Sequence, residues 1–520
     1  MLPELPFKER TERIAQTAFG GLDRRLGAGD GAICDMTNLC SDHAPVLASR
    51  PARYVTGTVT KPNGIFSDGV HLLACDGTAL SVDGAGVGTL TDTAKVFAAL
   101  GERVVIWPDK VLWTAEGGLE ALGASVTASC TFTDGTYAGE TAEANTIRAA
   151  SSTFDWSAYF RVGDGVTISG AADPENNVTL IVREISGRDL RFYENSFTVN
   201  ATAASVTVAR EIPDLDFLCV NDNRVWGCKG DTICCCKLGD PSNWNVFDGL
   251  STDAWRWDTG TAGDFTGCVS YLGYPVFFKE EAIFKVYGSR PANYEAMRSA
   301  ATGVLTGAHS SLAIAGDTLF YLSRVGFMAY SGGMPSPVGD ALARRYTAAV
   351  GGSDGAKYYA SADFSTGDRT GTELLVFDTA KQLWHREDGL AAARMAWRQG
   401  LYAQTAAQTV LLGTPQTVPA GAAAEGDFTR SVTFARTGYT AFPGKYPVRV
   451  WLRYEAEALT VEIAYDGGTW ETVASGAHSG KYLPVPIRRC DSWQLRLTAS
   501  GELRLYAVEQ EYISSSDGRK

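Results

Sequence analysis

Residues 217–240 read FLCVNDNRVWGCKGDTICCCKLGD. Short apolar runs alternate here with tight polar clusters, Asn221-Asp222-Asn223 first among them. Runs of about five residues bounded by Gly, Asn and Asp read as antiparallel strands joined by tight turns, and no helical 3.6-residue period competes.

The same plan recurs on both sides of this stretch. It is met at 64–84 (GIFSDGVHLLACDGTALSVDG), 97–118 (FAALGERVVIWPDKVLWTAEGG) and 268–288 (CVSYLGYPVFFKEEAIFKVYG). It returns at 311–333 (SLAIAGDTLFYLSRVGFMAYSGG), where Gly316-Asp317 marks a turn, and at 358–388 and 394–414. One small sheet cannot bury both of its faces alone, so units repeated at roughly 40-residue spacing point to stacked propeller blades. The fold expected is all-β, with a β-propeller-like body of six or seven irregular blades at 61–117 and 217–414.

The regular plan breaks at 118–216, where Val, Thr and Ile alternate with polar residues in YFRVGDGVTISG and NNVTLIVREISGRDLRFYE. This reads as an inserted β-domain of about 90 residues carried on a blade loop. The Ala-, Gly- and Pro-rich stretch 415–426 reads as a linker. Beyond it, 427–515 alternates strictly and predicts a C-terminal β-sandwich with a hairpin turn at Asp466-Gly467. Residues 1–60 are expected to be an N-terminal arm with the first strands, and 514–520 a frayed tail. Two short helices are expected, at 143–150 (EANTIRAA) and 341–350 (ALARRYTAAV).

Composition narrows the function. With 46 Lys and Arg against 59 Asp and Glu the formal charge is −13, a sign that repels nucleic-acid backbones. Sequence-specific DNA binding is not expected, although an acidic wall suits a conduit along which a polyanion slides. The N-terminus MLPELPFKERTERIAQ lacks a secretory apolar run, and no stretch reaches the roughly 18–20 apolar residues of a membrane span, so synthesis and assembly in the cytoplasm are expected. Eleven cysteines without C-x-x-C pairs signal neither a disulfide framework nor a zinc module.

Chemistry-bearing constellations are thin. Cys228 and Cys234-Cys235-Cys236 are dense enough to suggest a metal, but consecutive strand residues face opposite ways, so Cys235 cannot share an ion with its neighbours. His43, His71, His309, His385 and His478 are far apart in sequence and show no zinc-hydrolase spacing. Neither G-x-S-x-G nor a Cys backed by a helix N-terminus occurs, and Tyr-Ser-Gly-Gly at 330–333 reads as a blade turn. Propellers also host glycosidases, which set carboxylates about the scissile bond. Asp240, Asp248, Asp253 and Asp258 are candidates by type, but acidic turns supply such residues without any catalytic role. The hairpin AYDGGTW at 464–470 departs from the sialidase Asp-box, because Thr469 and Trp470 sit one residue too close to Asp466. Twelve Trp and twenty-one Tyr could stack on sugars, though their alternating positions assign most of them to the core. No nucleotide-binding motif is present, and no cofactor or metal is expected.

The segment Asn223-Arg224-Val225-Trp226, followed by Gly239-Asp240-Pro241-Ser242-Asn243-Trp244, Phe265-Thr266-Gly267 and FFKEEAIFKVYG ending at Gly288, resembles a family of phage proteins. These are the tail or stabilisation proteins of prophages, with a more distant similarity to packaged-DNA stabilisation proteins of short-tailed phages. Residues 19–53 resemble the family's opening segment and 303–339 one of its blades. The run Cys234-Cys235-Cys236 and the insert at 118–216 depart from the family pattern.

The resemblance implies a non-enzymatic virion protein of the tail or head-to-tail junction. Relatives form rings, often hexameric, that extend the portal and adaptor channel, retain packaged DNA and connect to distal tail parts. The implied partners are a second copy of the chain, portal, adaptor or tail proteins, and DNA passing through without sequence-specific contact. Asn223, Arg224, Trp226, Gly239, Asp240, Pro241, Trp244, Gly267 and Gly288 then carry structure and no chemistry. Pro241 would set a turn by its fixed φ, and Trp226 and Trp244 would wedge between blades. The competing readings are a tail protein that binds host-surface glycan and a propeller glycosidase.

Overall fold

Asp222 and Asn223 both hold positive φ, at 47° and 54°. A two-residue type I′ hairpin turn needs this conformation, and Asp and Asn tolerate it better than other residues bearing a Cβ. The turn sets Asn221 opposite Arg224 and Phe217 opposite Cys228. Strands Phe217–Asn221 and Arg224–Lys229 therefore pair antiparallel, and Thr232–Cys235 and Trp255–Asp258 complete a four-stranded sheet.

In the computed structural model, which describes residues 11–133, 145–193, 197–367, 369–440 and 444–514, seven sheets follow this plan. The protein is all-β with a β-propeller-like body, and the expectation of six or seven blades resolves to seven. Each of the seven sequence segments lies on its own sheet. The chain divides into two compact units. Residues 63–306 hold blades one to four and the inserted domain, while 1–62 with 307–520 hold blades five to seven and the sandwich. Among the described residues no helix is long and apolar enough to cross a membrane.

Alternation along each strand feeds two separate cores, one on each face of a blade. In the third blade, Leu218, Val225, Cys234 and Cys236 pack with Leu100, Val105 and Trp107 of the second. The intervening residues Cys219, Trp226, Cys228, Ile233 and Cys235 pack instead with Cys268, Phe277 and Phe284 of the fourth. Blades one and two meet through Leu73, Leu80, Val104 and Trp113, and blades six and seven through Leu374, Val376, Leu401 and Val410. The blades are thus layers glued by buried apolar surface, each Leu or Phe contributing about 1.5–3 kcal/mol by its burial.

The inserted domain is a closed six-stranded barrel running from Ala124–Thr133 to Asn200–Arg210, and these two long strands pair to close it. Its core of Phe132, Trp156, Phe160, Val182, Phe192 and Val208 is its own. The barrel is narrower than the expected insert at 118–216, because Gly118–Ala121 forms the fourth strand of the second blade, pairing with Val111–Thr114.

The C-terminal region is a sandwich of two sheets, and it is not built from 427–515 alone. Thr11–Gln16 and Leu47–Ser49 pair with Arg504–Ser514, and Ile33–Thr37 pairs with Arg430–Phe434. The first strands expected within 1–60 thus include Thr11–Gln16, Ile33–Thr37 and Leu47–Ser49 of the sandwich. Strand Tyr54–Thr58 goes to the seventh blade, where it pairs with Gln408–Leu412 and with Ala423–Ala424 inside the expected linker. Asp466 and Gly467 both have positive φ in the loop joining Ala458–Tyr465 to Glu471–Gly476.

Both expected helices are corrected. Thr146–Ala149 is a barrel strand pairing with Asp189–Phe192, and 143–144 fall outside the described residues. At 341–350, one 3-10 turn at Asp340–Leu342 ends at Ala343 in the left-handed region, and Tyr346–Ser353 is a strand of the sixth blade. Residues 1–10 and 515–520, parts of the expected arm and tail, also lie outside the described residues.

Candidate functional site

The motif residues gather on the third blade and on the turn that follows it. Arg224 comes directly after the I′ turn on a strand buried as far as Cys228, and it is itself 1% exposed. Its guanidinium turns to backbone: Nη1 donates to the carbonyls of Cys236 (2.8 Å), Thr252 (3.3 Å) and Asp253, and Nη2 to that of Ser251 (2.8 Å). Five fixed donors on one planar group make Arg suited to tie several carbonyls at once. The loop 245–254 is thereby pinned to the blade.

The Gly239-Asp240-Pro241-Ser242-Asn243-Trp244 stretch is a tight, self-bonded turn. Asp240 Oδ1 accepts from the Ser242 backbone N–H (3.0 Å) and hydroxyl (2.6 Å), and Oδ2 accepts from Asn243 Nδ2 (2.6 Å). Burial pulls the Asp240 carboxyl up, but these donors outweigh it and hold the group below its ordinary range. Gly239 sits at φ 73°, with its N–H bonded to the Asn223 carbonyl at 2.8 Å. Arg103 Nη2 donates to the Gly239 carbonyl at 2.7 Å, which ties the second blade to the same turn.

This turn seats the barrel. Asn243 Oδ1 accepts the Gly165 N–H (3.0 Å), and Asn243 Nδ2 donates to Asp164 Oδ1 (3.0 Å). Asp164 Oδ2 is also paired with Arg210 Nη1, whose Nε donates to the Leu122 carbonyl. A Cβ at Gly165 would lie 2.7 Å from the Asn245 carbonyl oxygen, so barrel and blade are in backbone contact there. Trp244 packs edge-on to Trp107, with ring centroids 6.0 Å apart, and Trp107 Nε1 donates to the Pro213 carbonyl where the chain leaves the barrel. Trp226, on the opposite face, lies against Trp255 and Tyr294 toward the fourth blade. Gly267 pairs with Phe278 inside that blade. Gly288, at φ 114°, meets the Asn293 carbonyl so closely that a Cβ would stand 2.3 Å away. Asp164 and Arg210, the barrel's half of the seat, were not singled out from sequence, since the insert matched no known pattern.

Of the four candidate carboxylates, Asp248 and Asp253 feel each other's charge, and the other two are bonded to nearby side chains. Asp240 is held in its turn, and Asp258 accepts from Thr232 Oγ1 on the adjacent strand. Asp253 is buried with Oδ2 on the Leu250 N–H. Asp248 is exposed, and desolvation followed by the Asp253 charge raises its pKa. The cysteine run splits as strand geometry requires: Cys234 and Cys236 face the second blade and Cys235 the fourth. Burial pushes the Cys234 and Cys236 thiols up to about 12. Among the described residues no group of three or more His, Cys, Asp and Glu is placed to hold a metal ion.

No family model matches the chain, and no curated protein matches it. Among solved structures it is similar to an exo-β-1,3-galactanase from Phanerochaete chrysosporium with galactose, at 10% identity over 55% of this chain and 92% of that one, with a TM-score of 0.19. It is similar also to a gluconolactonase from Xanthomonas campestris, at 13% identity over 56% and 97%, with a TM-score of 0.21. At such scores neither likeness bears on function.

Proposed function

We propose that this protein is a ring-forming structural subunit of a phage tail or head-to-tail junction, extending a channel for packaged DNA and joining distal tail parts. The observation that carries the reading is the use made of the motif residues. Arg224 is spent on four carbonyls of its own chain, Asp240 on its own turn, and Trp244 on the seat of the barrel. The side chains behind the sequence resemblance thus serve architecture, as a subunit working through its surfaces requires. The seated barrel offers such a surface, with Tyr159, Val162, Tyr193 and Val199 exposed. Several blades also end in exposed edge strands, such as Ala85–Thr89 and Glu295–Ser299, whose free N–H and C=O groups can pair with another chain. A formal charge of −13 suits a wall that DNA slides past without sticking.

Electron microscopy of the purified protein, alone and mixed with its portal and adaptor neighbours, tests this. Closed rings with an axial channel are expected in at least the mixture. Monomers in both conditions would overturn the proposal.

A further inference from the structure

A cavity of about 240 Å³ lies in the unit formed by 1–62 and 307–520, between the sixth blade and the segment that follows Leu39. That is far more than the roughly 30 Å³ share of one water molecule. Its polar lining is rich in acceptors: Asp42, Asp354, Asp378 and Glu387 contribute carboxylates, and Lys357 is the one lining cation among the described residues. Most of this charge is answered. Asp42 pairs with Lys357, Asp378 with Lys381 at 3.0 Å, and Glu387 with Arg53 at 2.8 Å.

Two lining groups can take a further partner, although the Lys357 charge already reaches one of them, Asp354. Asp354 forms no ion pair among the described residues; Oδ1 accepts the Ala356 and Lys357 N–H groups, and Oδ2 accepts the Tyr359 hydroxyl at 3.1 Å. His385 lines the cavity from a blade strand, is 3% exposed, and has no hydrogen-bond partner on either ring nitrogen among the described residues. The imidazole lines the cavity, so a ligand group held there can bond to its ring. Burial above all, then the Lys357 charge, pushes this imidazole down to about 4, so at neutral pH it presents an acceptor nitrogen.

We propose that this cavity binds the ammonium head of a small primary amine, with Asp354 supplying the countercharge and His385 an acceptor. An ammonium brings a second positive charge to a lining of four carboxylates and one cation, together with N–H donors. A neutral polyol brings donors without charge, and a quaternary ammonium brings charge without donors. The proposal is independent of the ring-subunit reading.

The full chain is titrated with n-propylammonium chloride, and with n-propanol, tetramethylammonium chloride and potassium chloride at matched concentrations. Thermal melting and the side-chain ¹⁵N signals of His385 are followed. Propylammonium alone should raise the melting temperature saturably and shift the His385 ring nitrogens. In Asp354→Asn, which keeps the oxygen that accepts the two backbone N–H groups, its affinity should fall by roughly tenfold or more. Absence of a saturable effect, an equal effect of propanol, tetramethylammonium or potassium, or unchanged affinity in the variant would each overturn the assignment. The ¹⁵N readout is made on the unsubstituted protein, so it stands even if the variant folds poorly.

Discussion

Asn243 Nδ2 donates to Asp164 Oδ1 at 3.0 Å although the two residues are 79 apart in sequence. One amide side chain, itself 2% exposed, joins the third blade to the barrel and bonds at the same time to the Gly165 N–H and to Asp240. Asn243→Ala removes all three bonds and leaves buried groups without partners. A loss of about 2–4 kcal/mol is expected in urea unfolding. Asn243→Asp should be worse at pH 7, since it sets a third carboxylate against Asp164 and Asp240, and the gap should narrow as the pH falls toward 4. Equal stability of Asn243→Ala and the parent would show that the barrel is seated by other contacts.

Arg224→Met tests the carbonyl clamp. Methionine fills much of the volume but leaves the Cys236, Ser251, Thr252 and Asp253 carbonyls without the guanidinium. A cost of about 3–5 kcal/mol is expected, with Arg224→Lys intermediate because one ammonium has three donors and no planar fork. Hydrogen exchange should localise the change to 245–254. Uniform loosening across the blade instead would mean that the arginine acts mainly by packing.

The blades were legible in the sequence because their information is local. Asn221-Asp222-Asn223 states its turn, and the alternation of Cys234, Cys235 and Cys236 states which face each will bury. The sandwich was only half legible, since pairings such as Leu47 with Leu505 and Thr11 with Ile513 join chain ends whose local patterns name no partner. The alanine-rich 341–350 was misread because helix propensity is a weak prior. Pairing of Tyr346–Ser353 with Lys357–Thr366 overrides it, in a stretch where Gly351 and Gly352 also disfavour helix. For the candidate site, the blade's half was visible in Arg224, Asp240 and Trp244. The barrel's half, Asp164 and Arg210, was not, as a buried ion pair leaves no periodic trace.

Stability should fall in two stages with acid. His309 and His385 are both pushed down to about 4, by burial first and then by the charges of Arg394 and Lys357 respectively. An unfolded histidine titrates near 6.5, so below that value the unfolded chain takes up protons that the folded chain refuses. Their contribution is complete above pH 6.5 and is lost as the pH falls toward 4, on the order of 3 kcal/mol for each. Glu373 follows: burial raises its pKa, but the Arg24 bond and the charges of Arg24, Arg344 and Arg386 outweigh it and leave the group lowered. Its contribution is present above its unfolded value of about 4.3 and is lost below it. Melting temperature should therefore decline from about pH 6.5 as the histidine contribution is lost, and Glu373 should add its own loss below about pH 4.3. His309→Gln combined with His385→Gln should flatten the decline between about pH 6.5 and 4.5. A parent melting temperature constant between pH 6.5 and 5 would show that neither histidine is kept neutral by the fold.

Two deletions should have opposite outcomes. Ala124 and Arg210 pair where the chain enters and leaves the barrel, and Gly123 lies against the Arg210 carbonyl, so the two ends of the insertion are neighbours. Replacing 123–211 with a short Gly-Ser linker should leave blades one to four folded, at a cost near that of Asn243→Ala. The excised barrel, with Phe132, Trp156, Phe160 and Phe192 in its own core, should fold by itself. Removing 1–60, a shorter segment, takes Tyr54–Thr58 out of the seventh blade and Thr11–Gln16, Ile33–Thr37 and Leu47–Ser49 out of the sandwich. Apolar faces and strand edges on 430–514 are then left bare, and insoluble protein is expected. Circular dichroism and size-exclusion chromatography of the two products decide it. A soluble, cooperatively melting chain without 1–60 would mean that the N-terminal strands decorate a sandwich already complete, and their pairing with Arg504–Ser514 would then be dispensable.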